Sequence, residues 1–291
     1  MARNIHREIT DRIVSQLKAG VVPWRKPWSG KASEGGVMPR NGLTSRAYSG
    51  INILLLWNAR EAMGYGSPKW FTYQQAQEVG GQVRKGEKST QIVFVSHLDR
   101  KDEKTGEDRK IPFLKTYNVF NADQIDGLKL DAPKPIKVRN ADGRDDDAED
   151  FLAATGATIK HGEGRAYFRP GADFIMLPDF ETFESANTYY ATAFHELAHW
   201  TGADKRLART FGKRFGDSAY SAEELVAELS SAFLCAEFGF ETEGQDAAYI
   251  ATWIKFLTDH EGAIVAAASA ASKACDYLRE LAIAEPDAIA A

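Results

Sequence analysis

His195-Glu196-Leu197-Ala198-His199 is the stretch of this 291-residue chain best suited to chemistry. Residues four apart on an α-helix share a face, so His195 and His199 can offer imidazole nitrogens to one ion. Glu196 beside them can reach a water held at the same place and take its proton as general base. A catalytic zinc centre uses three protein ligands and keeps a fourth position open. The flanking residues SANTYYATAFHELAHWTG predict a helix over Ala186–Thr201, with Ser185 or Asn187 as N-cap and Gly202 as stop. The reading is therefore a divalent metal centre, with zinc the expected ion and manganese the alternative. Its first ligands are His195 and His199, and its base is Glu196.

The third ligand is less direct. The metzincin pattern HExxHxxGxxH has its glycine here at Gly202, but Lys205 stands where the third histidine would fall. The gluzincin pattern instead takes a glutamate from a later helix, with an acid four residues on that orients a ligand histidine. SAEELVAELSSAFLCAEF, over Ser221–Phe238, offers Glu224 and Glu228 at that spacing. Glu224 is the expected ligand and Glu228 the orienting acid. Ser221-x-x-Glu224 also fits a capping box, which would leave Glu228 as the ligand. Asp204 and His260 are the remaining alternatives. Tyr189, Tyr190 or Tyr220 could stabilise an oxyanion, although each reads first as a packing residue and nothing in the sequence selects one. The run Tyr167–Met176 could supply an edge strand that holds an extended peptide.

A second chemistry lies in the first third of the chain. Residues 1–98 hold 14 Lys and Arg against 6 Asp and Glu, whereas the remainder holds 22 against 35. Such asymmetry points to a basic module that meets a polyanion, joined to an acidic one with another task. Four of the six tryptophans, Trp24, Trp28, Trp57 and Trp70, fall in the basic part. Single-stranded nucleic acid binders combine cations that follow the backbone with aromatic faces that stack bases. The residues expected to do this are Arg25, Lys26, Trp28, Arg40, Arg46, Tyr48, Lys69, Trp70, Arg84, Lys85 and Lys88. Gly81–Ser89 resembles a phosphate loop, but Glu87 separates Gly86 from Lys88 and breaks the GK[ST] register, so a nucleotide triphosphatase is rejected.

The elements that must carry these residues form an α+β chain of two domains. Ile5, Ile9, Ile13 and Leu17 make one helical stripe over Asn4–Ala19, closed by Gly20. Helices are predicted over Tyr48–Gly64 and Trp70–Val79. A strand–turn–strand is predicted over Gln82–Val95, a charged hairpin tip over Asp99–Arg109, and a strand over Phe113–Phe120. Residues 1–128 are expected to form a DNA-binding domain able to work alone, 129–149 a linker, and 150–291 the metal domain. In the last, Arg165–Phe168 and Phe174–Leu177 read as strands joined by Pro170-Gly171. Helices follow over Ala186–Thr201, over Ser221–Phe238 and from about Asp246 onward. Two cysteines without a CxxC pair, Cys235 and Cys275, exclude a disulfide scaffold and a cysteine-ligated zinc site. No apolar run approaches the ~20 residues of a membrane span, and the N-terminus shows no secretory pattern, so a cytoplasmic protein without membrane partners is expected.

Together the motifs ITDRIVSQLKAGVVPWRKPW, NGLTSRAYSGINILLLW, KWFTYQQAQEVGGQVRKGEKSTQIVF, DFIMLPDFETF, YYATAFHELAHWTG and EELVAELSSAFLCAEFG resemble the ArdC-type antirestriction proteins of conjugative plasmids. The resemblance implies an N-terminal domain that binds single-stranded DNA and a C-terminal zincin-like metallopeptidase domain. It also implies protection of incoming plasmid DNA from host restriction, with a component of the restriction system as the conceivable protein substrate. A similar N-terminal module occurs in plasmid primases. The alternative is a single-stranded-DNA-binding protein whose zincin domain is a non-catalytic, metal-binding scaffold.

Overall fold

Asn4 opens the first helix, α1 (Ile5–Lys18), by accepting a bond from the Arg7 N–H, and the apolar stripe Ile9, Ile13 and Leu17 turns inward. The computed structural model describes residues 4–25, 37–101, 108–129, 143–210, 218–242 and 247–283. Lys26, Trp28 and most of the expected linker lie outside them. α2 (Ile51–Met63) carries INILLLW almost wholly buried and ends on Gly64 in the left-handed region. That conformation costs a residue without Cβ nothing.

Trp70 does not open a helix. Lys69–Phe71 is a strand, β2, and the short helix α3 (Tyr73–Glu78) begins behind a capping box of Thr72 and Gln75. β2 runs parallel to β1 (Arg40–Asn41) and antiparallel to β5 (Asp108–Asn121), which pairs with β4 (Thr90–Lys101) to give the sheet order β1-β2-β5-β4. β3 (Gln82–Val83) pairs with β6 (Ile125–Asp126) and not with β4, so the expected strand–turn–strand is two separate pairings. At the far end of the ladder Asp99, Arg100 and Lys101 pair with Lys110, Arg109 and Asp108, and the remainder of the expected charged tip, residues 102–107, lies outside the described residues. β4 is an edge strand, and the Asn52 side chain stands in for a neighbour by bonding both the N–H and the C=O of Val93, at 2.8 and 2.7 Å.

The second half begins at α4 (Asp146–Ala154), capped by Asp145, a helix not foreseen in the acidic run. β7 (Thr158–His161) was also missed. It lies parallel to the buried β9 (Phe174–Leu177), whose other side is the antiparallel edge strand β8 (Tyr167–Arg169). α5 (Ala186–Thr201) starts at Ser185 and ends at Gly202, as the sequence indicates. α6 (Ser218–Phe238), α7 (Ala247–Asp259) and α8 (Ala263–Ile283) complete a mixed α and β architecture. No helix among the described residues is long and apolar enough to cross a membrane.

The main core does not stop near residue 128. Ile13, Leu17, Trp24, Leu54 and Trp57 share one buried cluster with Phe194, Leu229, Phe233, Trp253, Leu257 and Ala271. Trp24 meets Trp253 edge-on at 5.4 Å and Trp57 meets Phe233 at 5.8 Å. The Gly50 N–H donates to Ser272 Oγ at 2.7 Å. The N-terminal helices thus complete the packing of the C-terminal bundle.

Candidate metal centre

The α5 face expected from the i, i+4 spacing forms. His195 Nε2 and His199 Nε2 approach to 3.2 Å. α6 begins at Ser218, so Ser221 is interior to the helix and the capping-box reading of Glu224 falls away. One side chain from α6 closes the group: Glu224 Oε2 lies 3.5 Å from His195 Nε2, and Oε1 lies 3.6 Å from His199 Nε2. His195, His199 and Glu224 are the group among the described residues that could hold a metal ion. The donor set fits one. A tetrahedron of ~2.0–2.1 Å bonds has edges of roughly 3.3 Å, close to the separations observed between these atoms. Two neutral imidazole nitrogens that near one another gain little without a shared proton or cation between them.

The outer nitrogens are held as well. Glu228 Oε2 lies 3.7 Å from His195 Nδ1, an ion-pair separation longer than a hydrogen bond. His199 Nδ1 lies 3.1 Å from Glu223 Oε1. Arg209 grips Glu223 with two N–H bonds of 2.8 and 2.9 Å, and also donates to Ala198 O and Thr201 Oγ1. Glu223 and Arg209 escaped the sequence reading. The doubled Glu223-Glu224 was a signal for the first, but nothing local marks an arginine reached through a turn at Ala208 with φ +48. Carboxylates on the outer nitrogens fix tautomer and ring orientation, and losing one typically costs ~10–100-fold in metal affinity. Glu223→Gln is expected to weaken metal binding within that range, and Glu224→Gln to weaken it further, in a competitive chelator titration. Equal affinities for Glu224→Gln and wild type, with affinity lost in Glu228→Gln, would exchange the two assignments.

Charge around the site is balanced by these contacts. Burial opposes ionisation of Glu223, but Arg209 and His199 hold it below the usual carboxylate range. Burial likewise opposes the charge on Glu224, and His195, His199 and the Tyr220 hydroxyl outweigh it. For His195 burial disfavours the imidazolium, yet Glu224, Glu228 and Glu196 carry its pKa well above the ordinary 6.5. In metal-free protein that protonation stabilises the fold. The contribution is complete below the unfolded value and is lost as pH rises through the raised native one. A metal must displace this proton, so apparent affinity should climb with pH up to the raised value.

The three residues open onto a cavity of about 360 Å³ lined also by Glu196, Tyr220, Tyr249, Phe168 and Pro170. Glu196 is buried in its wall. The Tyr220 hydroxyl donates to Glu224, and burial with that negative neighbour pushes it up, so it stays a protonated donor. Tyr189 and Tyr190 lie elsewhere, buried beside Phe180, Phe183 and Phe240. Lys205 is exposed and paired with Asp173 at 2.6 Å. Asp204 is exposed, and His260 lines a separate cleft with His6.

The expected DNA-binding set divides. Arg46, Lys85 and Lys88 are exposed, Lys69 is half-buried, and none has an acidic partner among the described residues. Arg40, exposed opposite Lys69 in the β1–β2 pairing, donates to Ser45 O. Three of the expected residues are buried or paired. Trp70 is fully buried among Leu56, Ala59, Ile92 and Val119, while Phe71 is equally buried on the other face of the strand, and Trp70 offers no face to a base. Arg84 is exposed but paired with Glu87 at 2.9 Å and Asp126 at 3.3 Å, so part of its charge is already met. Arg25 has its Nε and Nη2 shut off from solvent and feels the charge of Glu228. Tyr48 is half-buried against the Trp70 cluster.

A histidine-bearing helix crossed by a glutamate helix beneath the edge of a small sheet is the build of zincin-like metallopeptidases, and residues 146–270 match the family model of that description. Residues 3–120 match the model for the N-terminal domain of anti-restriction factor ArdC. The chain belongs to the ArdC family. It is similar to the crystal structure of antirestriction ArdC from plasmid R388 in its metal-free form, with 44% identity, a TM-score of 0.83, and 96% of this chain and 98% of that one covered. The Mn(II)-bound form of that protein matches at 42% identity and a TM-score of 0.80, over 97% and 99% of the two chains. DNA primase TraC of Escherichia coli is 42% identical over 294 residues, which take in 94% of this chain and 27% of TraC. The chain therefore spans about a quarter of that relative's length.

Proposed function

We propose that this chain is an antirestriction factor that binds single-stranded DNA through its N-terminal half and hydrolyses peptide bonds at the His195–Glu196–His199 centre. The observation that carries the peptidase half is Glu196, whose carboxylate is buried in the wall of the cavity onto which both histidines open. When bound there, a divalent cation supplies Lewis acidity and lowers the pKa of water toward ~7. His195, His199 and Glu224 hold it, with Glu228, Glu223 and Arg209 fixing the rings. Glu196 takes a proton from the attacking water and can deliver it to the leaving amine. Tyr220 donates a hydrogen bond toward the same cavity. Among the described residues β8 has β9 on one side only, and its other edge can take an extended peptide as a further strand. A protein of the restriction machinery is the proposed substrate, and protection of incoming DNA the outcome.

Turnover of a denatured protein by the metal-loaded chain, measured with and without single-stranded DNA, tests this. Chelation should abolish turnover and readdition of Zn(II) or Mn(II) restore it. DNA binding with no turnover under either ion would leave a DNA-binding protein with a metal-binding scaffold. For the DNA half, the full chain should prefer single strands to duplex. Each of Lys85→Gln and Lys88→Gln should flatten the log–log salt dependence of binding by ~0.7 where that cation neutralises a phosphate. An unchanged slope in both would remove these lysines from the interface.

A further inference from the structure

Trp24 and Trp70 are buried, and Trp28 lies outside the described residues. Among the described residues the exposed aromatics of the N-terminal half are Tyr73, Phe94, Phe113 and Tyr117. Three of these share one hairpin. Side chains alternate between the faces of a strand, so Phe113, Lys115 and Tyr117 project from the same face of β5, about 6.8 Å apart. Phe94 of β4 lies directly opposite Lys115 in the register, and so has Tyr117 and Phe113 as its two diagonal neighbours. Phe94 and Tyr117 meet edge-on, with ring centroids 5.3 Å apart and planes at 87°, while Lys115 Nζ sits 5.3 Å from the Tyr117 ring centre. Further along the face, Ile92 and Val119 join the buried cluster around Trp70, against which Tyr48 packs.

We infer that this face of the β4–β5 hairpin, Phe94, Phe113, Lys115 and Tyr117, is the base-stacking platform for single-stranded DNA. The inference rests on the single-strand reading proposed above and assigns its surface. Exposed aromatic rings with an ammonium between them match unpaired bases and a phosphate. Segments 88–95 and 113–119 contain Lys88 and Lys115 and no acid, so the charge of the face complements a polyanion. Duplex DNA keeps its base faces stacked and has nothing to offer these rings.

The test uses the full chain and a fluorescent oligo(dT), read by anisotropy at several salt concentrations. Phe94→Ala and Tyr117→Ala should each weaken binding about tenfold or more, since stacking is worth ~1–3 kcal/mol per base. Tyr117→Phe, which keeps the ring, should restore it. Lys115→Gln should flatten the salt slope by ~0.7. Tyr73→Ala removes an equally exposed ring that packs beside Phe120, a residue of the opposite face, and should leave affinity unchanged. All substituted side chains are exposed, and thermal melts check that each variant folds. Wild-type binding that survives in the Phe94→Ala/Tyr117→Ala double variant would overturn the platform while leaving the single-strand reading intact. A wild type that does not bind oligo(dT) would overturn both.

Discussion

Glu196→Gln is expected to reduce peptide turnover by ~10²–10⁴-fold, the usual worth of a positioned general base, while the metal stays bound. The expectation rests on separable roles. The groups that converge toward an ion are His195 Nε2, His199 Nε2 and a Glu224 oxygen, and Glu196 is not among them. Its side chain is nevertheless buried in the same cavity, beside the imidazole whose charge it favours. An amide keeps the shape and cannot take the proton. Removing one negative charge near His195 should make a small difference to metal affinity, against the larger losses expected for Glu224→Gln. Metal content by elemental analysis, together with turnover on the same preparation, checks both halves. A Glu196→Gln protein that cleaves as fast as wild type would show that another group activates the water. A variant that loses its metal would move Glu196 from base to ligand.

A fragment ending at residue 128 is expected not to fold. Two of its three fully buried tryptophans are covered by the other half, Trp24 by Trp253 and Trp57 by Phe233, and Ile13, Leu17 and Leu54 lie within the same cluster as Leu229 and Leu257. Cut there, these residues face water, at ~25 cal/mol per Å² of apolar surface. The same reasoning applied to one residue predicts that Trp24→Ala destabilises the full chain by ~3–5 kcal/mol, a large share of the ~5–15 kcal/mol that a domain possesses. Denaturant unfolding of Trp24→Ala and a circular-dichroism melt of the fragment give the answer. A cooperative melt of residues 1–128 would show that the interface between the halves is dispensable.

Several features were legible because they are local. The i, i+4 spacing of His195 and His199 specifies a shared helical face whatever surrounds it, and Ser185 and Gly202 bound that helix through bonds within one turn. Glu224 and Glu228 follow the same rule on α6. Trp70 was misread for the complementary reason. WFTYQQAQEV joins a β-favouring start, Trp70-Phe71-Thr72-Tyr73, to helix-forming QQAQE, and β5 offers a strand partner at Asn121 and Phe120 that takes Lys69–Phe71 into the sheet before Thr72 caps α3. β7 and α4 were invisible for want of an apolar pattern, since β7 is exposed along most of its length and α4 buries only Ala148 and Leu152. Arg84 has one partner three residues away, Glu87, which the spacing could have shown, and a second, Asp126, which only the β3–β6 pairing brings near; the burial of Arg25 likewise depends on packing remote in the chain.

By itself the sequence determined the identities and spacing of the two histidines proposed as metal ligands, the neighbouring glutamate proposed as base, the helices that carry them and the excess of positive charge in the first third. These follow from short-range geometry and from composition, which no tertiary arrangement can alter. The tertiary structure decided which of two glutamates reaches the histidines, that Glu223 and Arg209 brace one of them, that Trp24 and Trp70 are core, and that the exposed rings belong to the β4–β5 hairpin. Each of those depends on the rotation of one element about its axis relative to a distant one. A strand's alternation or a helix's rotation decides whether a side chain meets water or core, and only packing selects between them.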